Sequence, residues 1–169
     1  FAECLYLEPV LKALRTWLDG APIVFFHEFH KPPYGGGNQF LLALKAELER
    51  RGVRVGVNRV GPKTRVVLFN SYNFDFEKLR AVSRGQVRLI HRVDGPIGVY
   101  RGEDDGIDKK IWQVNHDFAD ATIFQSQYSM HKHADLGMHF NYATVIPNAV
   151  DSRIFYPLKH RPTHERTKL

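Results

Sequence analysis

Four stretches of this sequence hold residues whose types and spacing suit chemistry, and each lies just past the end of an apolar run or near a helix start. The first, residues 27–40, reads HEFHKPPYGGGNQF. Gly35, Gly36 and Gly37 let the backbone turn tightly and approach a ligand with no Cβ in the way. A helix opening behind them, with Asn38 in its first turn, presents free N–H groups and partial positive charge, which suit a phosphate or a sugar hydroxyl. The pattern is not a P-loop, because no Lys-Ser/Thr follows. Nor is it the G-x-G-x-x-G dinucleotide fingerprint, because Phe40 stands where the third glycine belongs. A flexible loop without a ligand is the other reading.

The second stretch is His91-Arg92-Val93-Asp94-Gly95-Pro96. Gly-Pro forces a turn and leaves His91, Arg92 and Asp94 near a strand's carboxyl end. Alternation puts His91 and Val93 on one face, Arg92 and Asp94 on the other. A histidine and an aspartate can orient sugar hydroxyls. Equally, Asp94 can cap the turn while His91 is a satisfied core histidine. The third stretch carries Arg101, a candidate for holding phosphate or carboxylate, followed by Glu103, Asp104, Asp105 and Asp108. Four carboxylates raise the question of a divalent metal. Acids gathered at a helix amino end answer it more simply, and no metal site is assigned. The fourth is Ser126, either a ligand contact or the N-cap of the helix behind it. His131 and His133, two apart on that helix, point to different sides and are not a metal pair.

Groups like these have to be positioned, and the apolar pattern says how. Residues 22–29, 54–58, 66–70, 87–93, 121–126 and 143–147 read as short strands. Between them, residues 38–51 (Leu41, Leu44 and Leu48 on one face), 74–83, 108–118 and 127–136 read as helices. Strands alternating with helices imply an α/β, Rossmann-like, doubly wound and mainly parallel sheet. In such sheets ligands lie at the carboxyl ends of the strands, where the four stretches fall. Residues 1–20 form a separate amphipathic helix, with Leu7, Leu11, Leu14 and Leu18 in register. It packs on the domain or a partner domain, or lies on a membrane surface with Lys12 and Arg15 outward.

Composition bounds the rest. The chain has 169 residues, 43% hydrophobic and 25% charged, an ordinary globular balance with length for one core. No apolar run approaches the roughly 18 residues that span a bilayer. One cysteine, Cys4, rules out an intrachain disulfide and fits a cytoplasmic setting, with peripheral membrane contact as an option. Net charge is +6, and residues 158–169 supply half of it through Lys159, Arg161, Arg166 and Lys168 against Glu165. A solvated basic tail or the start of a linker accounts for that, and nucleic acid is not expected.

Taken in order, several segments resemble glycosyltransferase family 4, nucleotide-sugar enzymes of the GT-B fold. They are Gly35-Gly36-Gly37, then Leu48-Glu49-Arg50-Arg51-Gly52-Val53-Arg54-Val55, then Ala119 through Ser129, and last Val145-Ile146-Pro147-Asn148-Ala149-Val150-Asp151 running to Phe155-Tyr156-Pro157. The likeness covers about Ile23 to Pro157. Two positions depart from the pattern. Ala149 replaces a usual glycine, and Asp94 aligns with the aspartate of a His-Asp pair whose histidine is here Val93, so His91 is the candidate substitute. The resemblance implies that residues 21–157 are the acceptor-side, amino-terminal half of a retaining glycosyltransferase. The co-substrate would be a nucleotide sugar, the acceptor a glycan or glycolipid, and no metal would be needed. His91 and Asp94 would be catalytic. Gly35, Gly36, Gly37, Asn38, Arg92, Arg101 and Ser126 would contact donor phosphate or acceptor. A carboxy-terminal domain would hold most of the donor, so this piece alone is expected to fold yet transfer nothing. The alternatives are a non-catalytic Rossmann-like module for a phosphorylated metabolite or protein partner, or another GT-B enzyme such as an epimerase.

Overall fold

In the computed structural model, residues 20–149 are described, except Pro33, Ser83, Arg84 and Asp104. The amphipathic helix read over residues 1–20 falls outside them but for Gly20. So do the basic tail and the signature segment from Val150 onward.

Six strands form one sheet: β1 (Ile23–Phe26), β2 (Val55–Val57), β3 (Val66–Asn70), β4 (Arg88–Val93), β5 (Ala121–Phe124) and β6 (Ala143–Val145). Their order is β2-β1-β3-β4-β5-β6, and every neighbouring pair is parallel. Helices α1 (Gly36–Arg50), α2 (Phe76–Arg80), α3 (Ile97–Arg101), α4 (Ile107–Phe118) and α5 (Gln127–Asp135) lie between strands. This is the Rossmann-like α/β architecture expected from the alternation.

Strands β1 and β3 are largely apolar on both faces because both are covered. Val24, Phe26, Val67, Phe69 and Leu89 pack with Phe74, Leu79 and Val114 on one side. Phe25, Leu68 and Val55 pack with Leu41, Leu44 and Leu48 of α1 on the other. Residues one apart along β1 and β3 thus serve opposite cores, the period-two rule at work. A third cluster, Val93, Ile111 and Phe124, closes the β4–β5 end.

Helix α3 has no counterpart in the sequence reading. It is five residues long, too short for a periodic signal, and it is anchored from outside. Both Asp108 carboxylate oxygens accept backbone hydrogen bonds at its start, from Ile97 N–H at 2.7 Å and Gly98 N–H at 2.8 Å. Asp108 is fully buried in this role. The acidic stretch therefore contributes a remote helix cap.

From β1 the chain goes out to β2 on one side and returns to β3 on the other. The β1/β3 boundary is thus the switch point, where a crevice opens between diverging connections.

Candidate functional site

A cleft of about 250 Å³ occupies that switch point. Its walls come from the segments following three strands: His27 and the Tyr34–Asn38 turn after β1, Asn70 to Asn73 after β3, and Asp94, Gly95, Ile97 and Arg101 after β4.

The glycine turn forms one wall. Gly35 is the N-cap of α1 at φ 47°, a conformation that favours glycine. Among the described residues no side chain caps this end, and the first helical bond of the turn is Gln39 N–H to Gly35 C=O. The preceding N–H groups of the first turn have no intrahelical acceptor. The three glycines are not equivalent. Around Gly35 and Gly36 there is open space, whereas a Cβ on Gly37 would stand 2.7 Å from Asn70 Nδ2 and 3.5 Å from Asp94 Oδ2. Gly37 thus lets α1 close onto the strand ends, while Gly36 leaves room for a ligand. Asn38 is buried, and its amide bonds the His30 backbone twice, fixing the loop ahead of the turn.

Asp94 faces this turn. Its Oδ1 accepts from Arg92 at 2.7 Å, and Ser71 Oγ lies 3.4 Å from Oδ2. Its side chain is 36% exposed. Ser71 holds φ 48°, a strained value for a non-glycine residue. It is tied down by its N–H to Arg92 C=O and by its own C=O, which accepts from His91.

Arg92 is placed differently from the sequence expectation. Its side chain is 3% exposed and lies beneath the cleft rather than in its lining. The guanidinium donates to Asn70 Oδ1 and Asp94 Oδ1 at 2.7 Å, and to Gln125 Oε1 and Asn148 Oδ1 at 3.3 Å. It also rests 4.1 Å from the centroid of Phe40. One side chain thus ties together α1, the carboxyl ends of β3, β4 and β5, and the chain beyond β6. It positions Asp94 and has little left for a ligand.

His91 is likewise corrected. It is fully buried, stacked on Phe69 at 4.4 Å. Asn115 Nδ2 donates to its Nδ1 at 3.1 Å, so Nε2 carries the proton and donates to Ser71 C=O at 2.9 Å. Burial pushes its pKa down to about 3, against a smaller upward effect of the Ser71 carbonyl. It is a neutral core histidine with both nitrogens engaged, not a group facing a substrate. Ser126 is the N-cap of α5, accepting from Ser129 N–H at 3.0 Å, and does not line the cleft. Gly35, Gly36, Gly37, Asn38, Asp94 and Arg101 do line it.

Sequence reasoning passed over two contributors. The segment from Asn70 to Asn73 follows β3, and the strand-end rule that singled out the other loops applies there equally. His27 opens the 27–40 stretch, but the sequence reading places it within the strand over 22–29, whereas β1 ends at Phe26. His27 is 2% exposed, and its backbone N–H and C=O are both held by the Asn58 side chain. Neither ring nitrogen has a hydrogen-bond partner among the described residues. Burial lowers its pKa, with His30 adding to the effect, while Glu28, the nearby Asn73 backbone and Asp94 oppose it; the Asn73 contact does not reach hydrogen-bond geometry.

Among the described residues no three His, Cys, Asp or Glu side chains gather as metal ligands, and no helix is long and apolar enough to cross a membrane. Compared with known proteins, the chain matches no family model, no curated protein and no solved structure.

Proposed function

We propose that the chain is the acceptor-side, amino-terminal domain of a retaining glycosyltransferase, which moves a sugar from a nucleotide donor to an acceptor hydroxyl. The observation that carries this reading is the switch-point cleft. It sets the uncapped α1 turn opposite Asp94, in a fold whose ligands lie at that edge. A fold alone assigns no chemistry. The ordered resemblance of the glycine turn, the β5–α5 step and the Pro147-Asn148-Ala149 segment supplies the enzyme class, and the cleft supplies a site consistent with it.

In this reading Asp94, held by Arg92, orients the acceptor hydroxyl by accepting its hydrogen bond. The first-turn amides of α1 offer hydrogen-bond donors to the sugar's hydroxyl oxygens. Arg101, exposed beside the cleft, is placed to meet the leaving diphosphate. A carboxy-terminal domain would bind most of the nucleotide and form the opposite wall.

The test is a screen of the full-length protein against nucleotide sugars for released nucleoside diphosphate in the presence of acceptor glycans and glycolipids. Release that drops at least 100-fold in Asp94→Asn at unchanged stability supports the reading. Calorimetry of the 169-residue chain with uridine, guanosine and adenosine diphosphates tests the division between domains. A few amide hydrogen bonds, each about 0.5–1.5 kcal/mol net, fall short of the roughly 8 kcal/mol of micromolar binding. Micromolar affinity for any of them would mean a complete nucleotide site here and would end the acceptor-side assignment.

A further inference from the structure

We infer that His27 is the hydrogen-bonding group with which the cleft receives a hydroxyl of an uncharged polyhydroxy ligand, in preference to a phosphate. The inference rests on the glycosyltransferase reading only in identifying that ligand as the acceptor.

The first observation is an incomplete hydrogen-bond account. His27 is 2% exposed and stands in the cleft wall, yet both ring nitrogens lack partners among the described residues. Native structures rarely leave buried polar atoms unpaired, and such exceptions ask for an unseen partner. The ring is not a loosely held side chain. Asn58 fixes its backbone from both sides, Phe29 packs edge-on at 5.1 Å, and the next residue is pinned by Glu28 N–H to Asn73 C=O. By contrast His91, equally buried, has a partner for each nitrogen.

The second observation selects the ligand's chemistry. A neutral imidazole offers one donor and one acceptor, and a hydroxyl is both. Either nitrogen can thus meet a hydroxyl, whether or not it carries the proton, whereas a fully ionised phosphate oxygen can only accept. The same cleft holds the Asp94 carboxylate, 3.5 Å from where a Gly37 Cβ would be, so the α1 amino end already faces a negative charge. That disfavours an anion beside it and favours a ligand that both donates to Asp94 and accepts from the α1 amides. Tyr34 and Tyr72 add aromatic surface for the apolar face of a sugar ring.

The experiment uses the full-length protein with histidine rings labelled in nitrogen-15. It is titrated with a panel of methyl hexopyranosides and, separately, with inorganic phosphate. The expected result is that at least one glycoside moves the His27 ring resonances and the Gly36 and Gly37 amide resonances with one common midpoint, while phosphate does not. His27→Phe keeps an aromatic ring and removes both nitrogens, and His27→Leu serves if that variant does not fold. Either is expected to weaken glycoside binding about tenfold, equivalent to about 1.4 kcal/mol. In turnover, acceptor KM is expected to rise by the same factor, with kcat and donor KM little changed. Movement by phosphate alone, by no glycoside, or equal glycoside affinity in the variants overturns the assignment. Transfer with an unchanged acceptor KM in the variants would keep the enzyme reading and remove His27 from it. Glycoside-dependent shifts in a protein that transfers no sugar would keep the site and remove the enzyme reading.

Discussion

Replacing Arg92 by alanine tests whether the cleft floor is held by one side chain. The guanidinium makes two 2.7 Å hydrogen bonds, to Asn70 and Asp94, and two 3.3 Å bonds, to Gln125 and Asn148. Charge-assisted bonds contribute about 1.5–3 kcal/mol each in mutational series, and the cation–π contact with Phe40 adds about 0.5–2 kcal/mol. These figures do not add, because Asp94 is 36% exposed and water would replace its lost partner. Asn70, 3% exposed, has no such recourse. Removing one member of a largely buried ion pair costs about 3–5 kcal/mol, and the partial exposure of Asp94 puts Arg92→Ala near the lower end. Against a usual stability of about 5–15 kcal/mol, that is a large share. Arg92→Lys keeps the charge but reaches fewer acceptors from a single point, so about 1–3 kcal/mol is expected. Arg88→Ala is the control. That residue lies on the same strand, its side chain is 76% exposed, and its Asp120 contact is 3.9 Å long, so its loss should cost under about 0.5 kcal/mol. Urea unfolding with unchanged slope would give the order alanine 92, lysine 92, alanine 88, from least to most stable. If Arg92→Ala were within about 1 kcal/mol of the parent, or no worse than Arg88→Ala, the idea that Arg92 organises the strand ends would be wrong.

Three further outcomes follow from the geometry. Gly36→Val should fold with near-parental stability, because nothing lies within 4 Å of the added Cβ, and on the proposed reading should lower kcat/KM for sugar transfer; unchanged kcat/KM at matched stability would reject a ligand at the turn. Because the folded-state pKa of His91 is depressed to about 3 from 6.5, its contribution to stability is fully present above the unfolded-state value and is lost as pH falls below it. Between pH 7.5 and 5 this costs about 2 kcal/mol, a figure insensitive to how far below 5 the folded value lies; urea midpoints that do not move between those pH values would refute it. Asp108→Ala should cost about 2–3 kcal/mol, since it frees the Ile97 and Gly98 amides that the carboxylate now holds, and amide exchange should quicken first across α3.

The strands were legible because each is a short β-branched or aromatic run between glycine, proline or asparagine. The reading of 66–70 coincides with β3, and the others exceed the observed strands by one to four residues, mostly at their ends. Those excess residues lie beyond the ladder, which only the neighbouring strand defines. Alternation also separated His91 from Arg92 correctly by face. It carried no information on what each face would meet. Whether a histidine at a strand end is core or site depends on Phe69, Ser71 and Asn115, all of which lie outside β4. Likewise Arg92 looked like an anion-binding group because its four acceptors are scattered from Asn70 to Asn148. The places of Asp94 and the glycine turn beside the cleft could be read from the sequence because they depend on local backbone position at a strand's end.

The placement of polar groups around the cleft separates those that build it from those left to act. Arg92, Asn38, Asn58, Asn115, Asp108 and His91 each meet partners within the protein, and each fixes a backbone segment or a neighbouring side chain. Besides the exposed Arg101, what remains on the cleft lining is small: the first-turn amides of α1, one Asp94 oxygen with only a 3.4 Å neighbour, and the His27 ring, whose two nitrogens are buried without partners among the described residues. These come from the turn after β1, the end of β4 and the end of β1, and they converge because β1, β3 and β4 are adjacent and parallel. A ligand that satisfied them would have to donate at Asp94, accept at the amides and do either at His27. That requirement comes from hydrogen-bond valence and strand order alone. It therefore holds for whatever occupies the cleft, and it is met by neighbouring hydroxyls on a single ring more readily than by any one charged group.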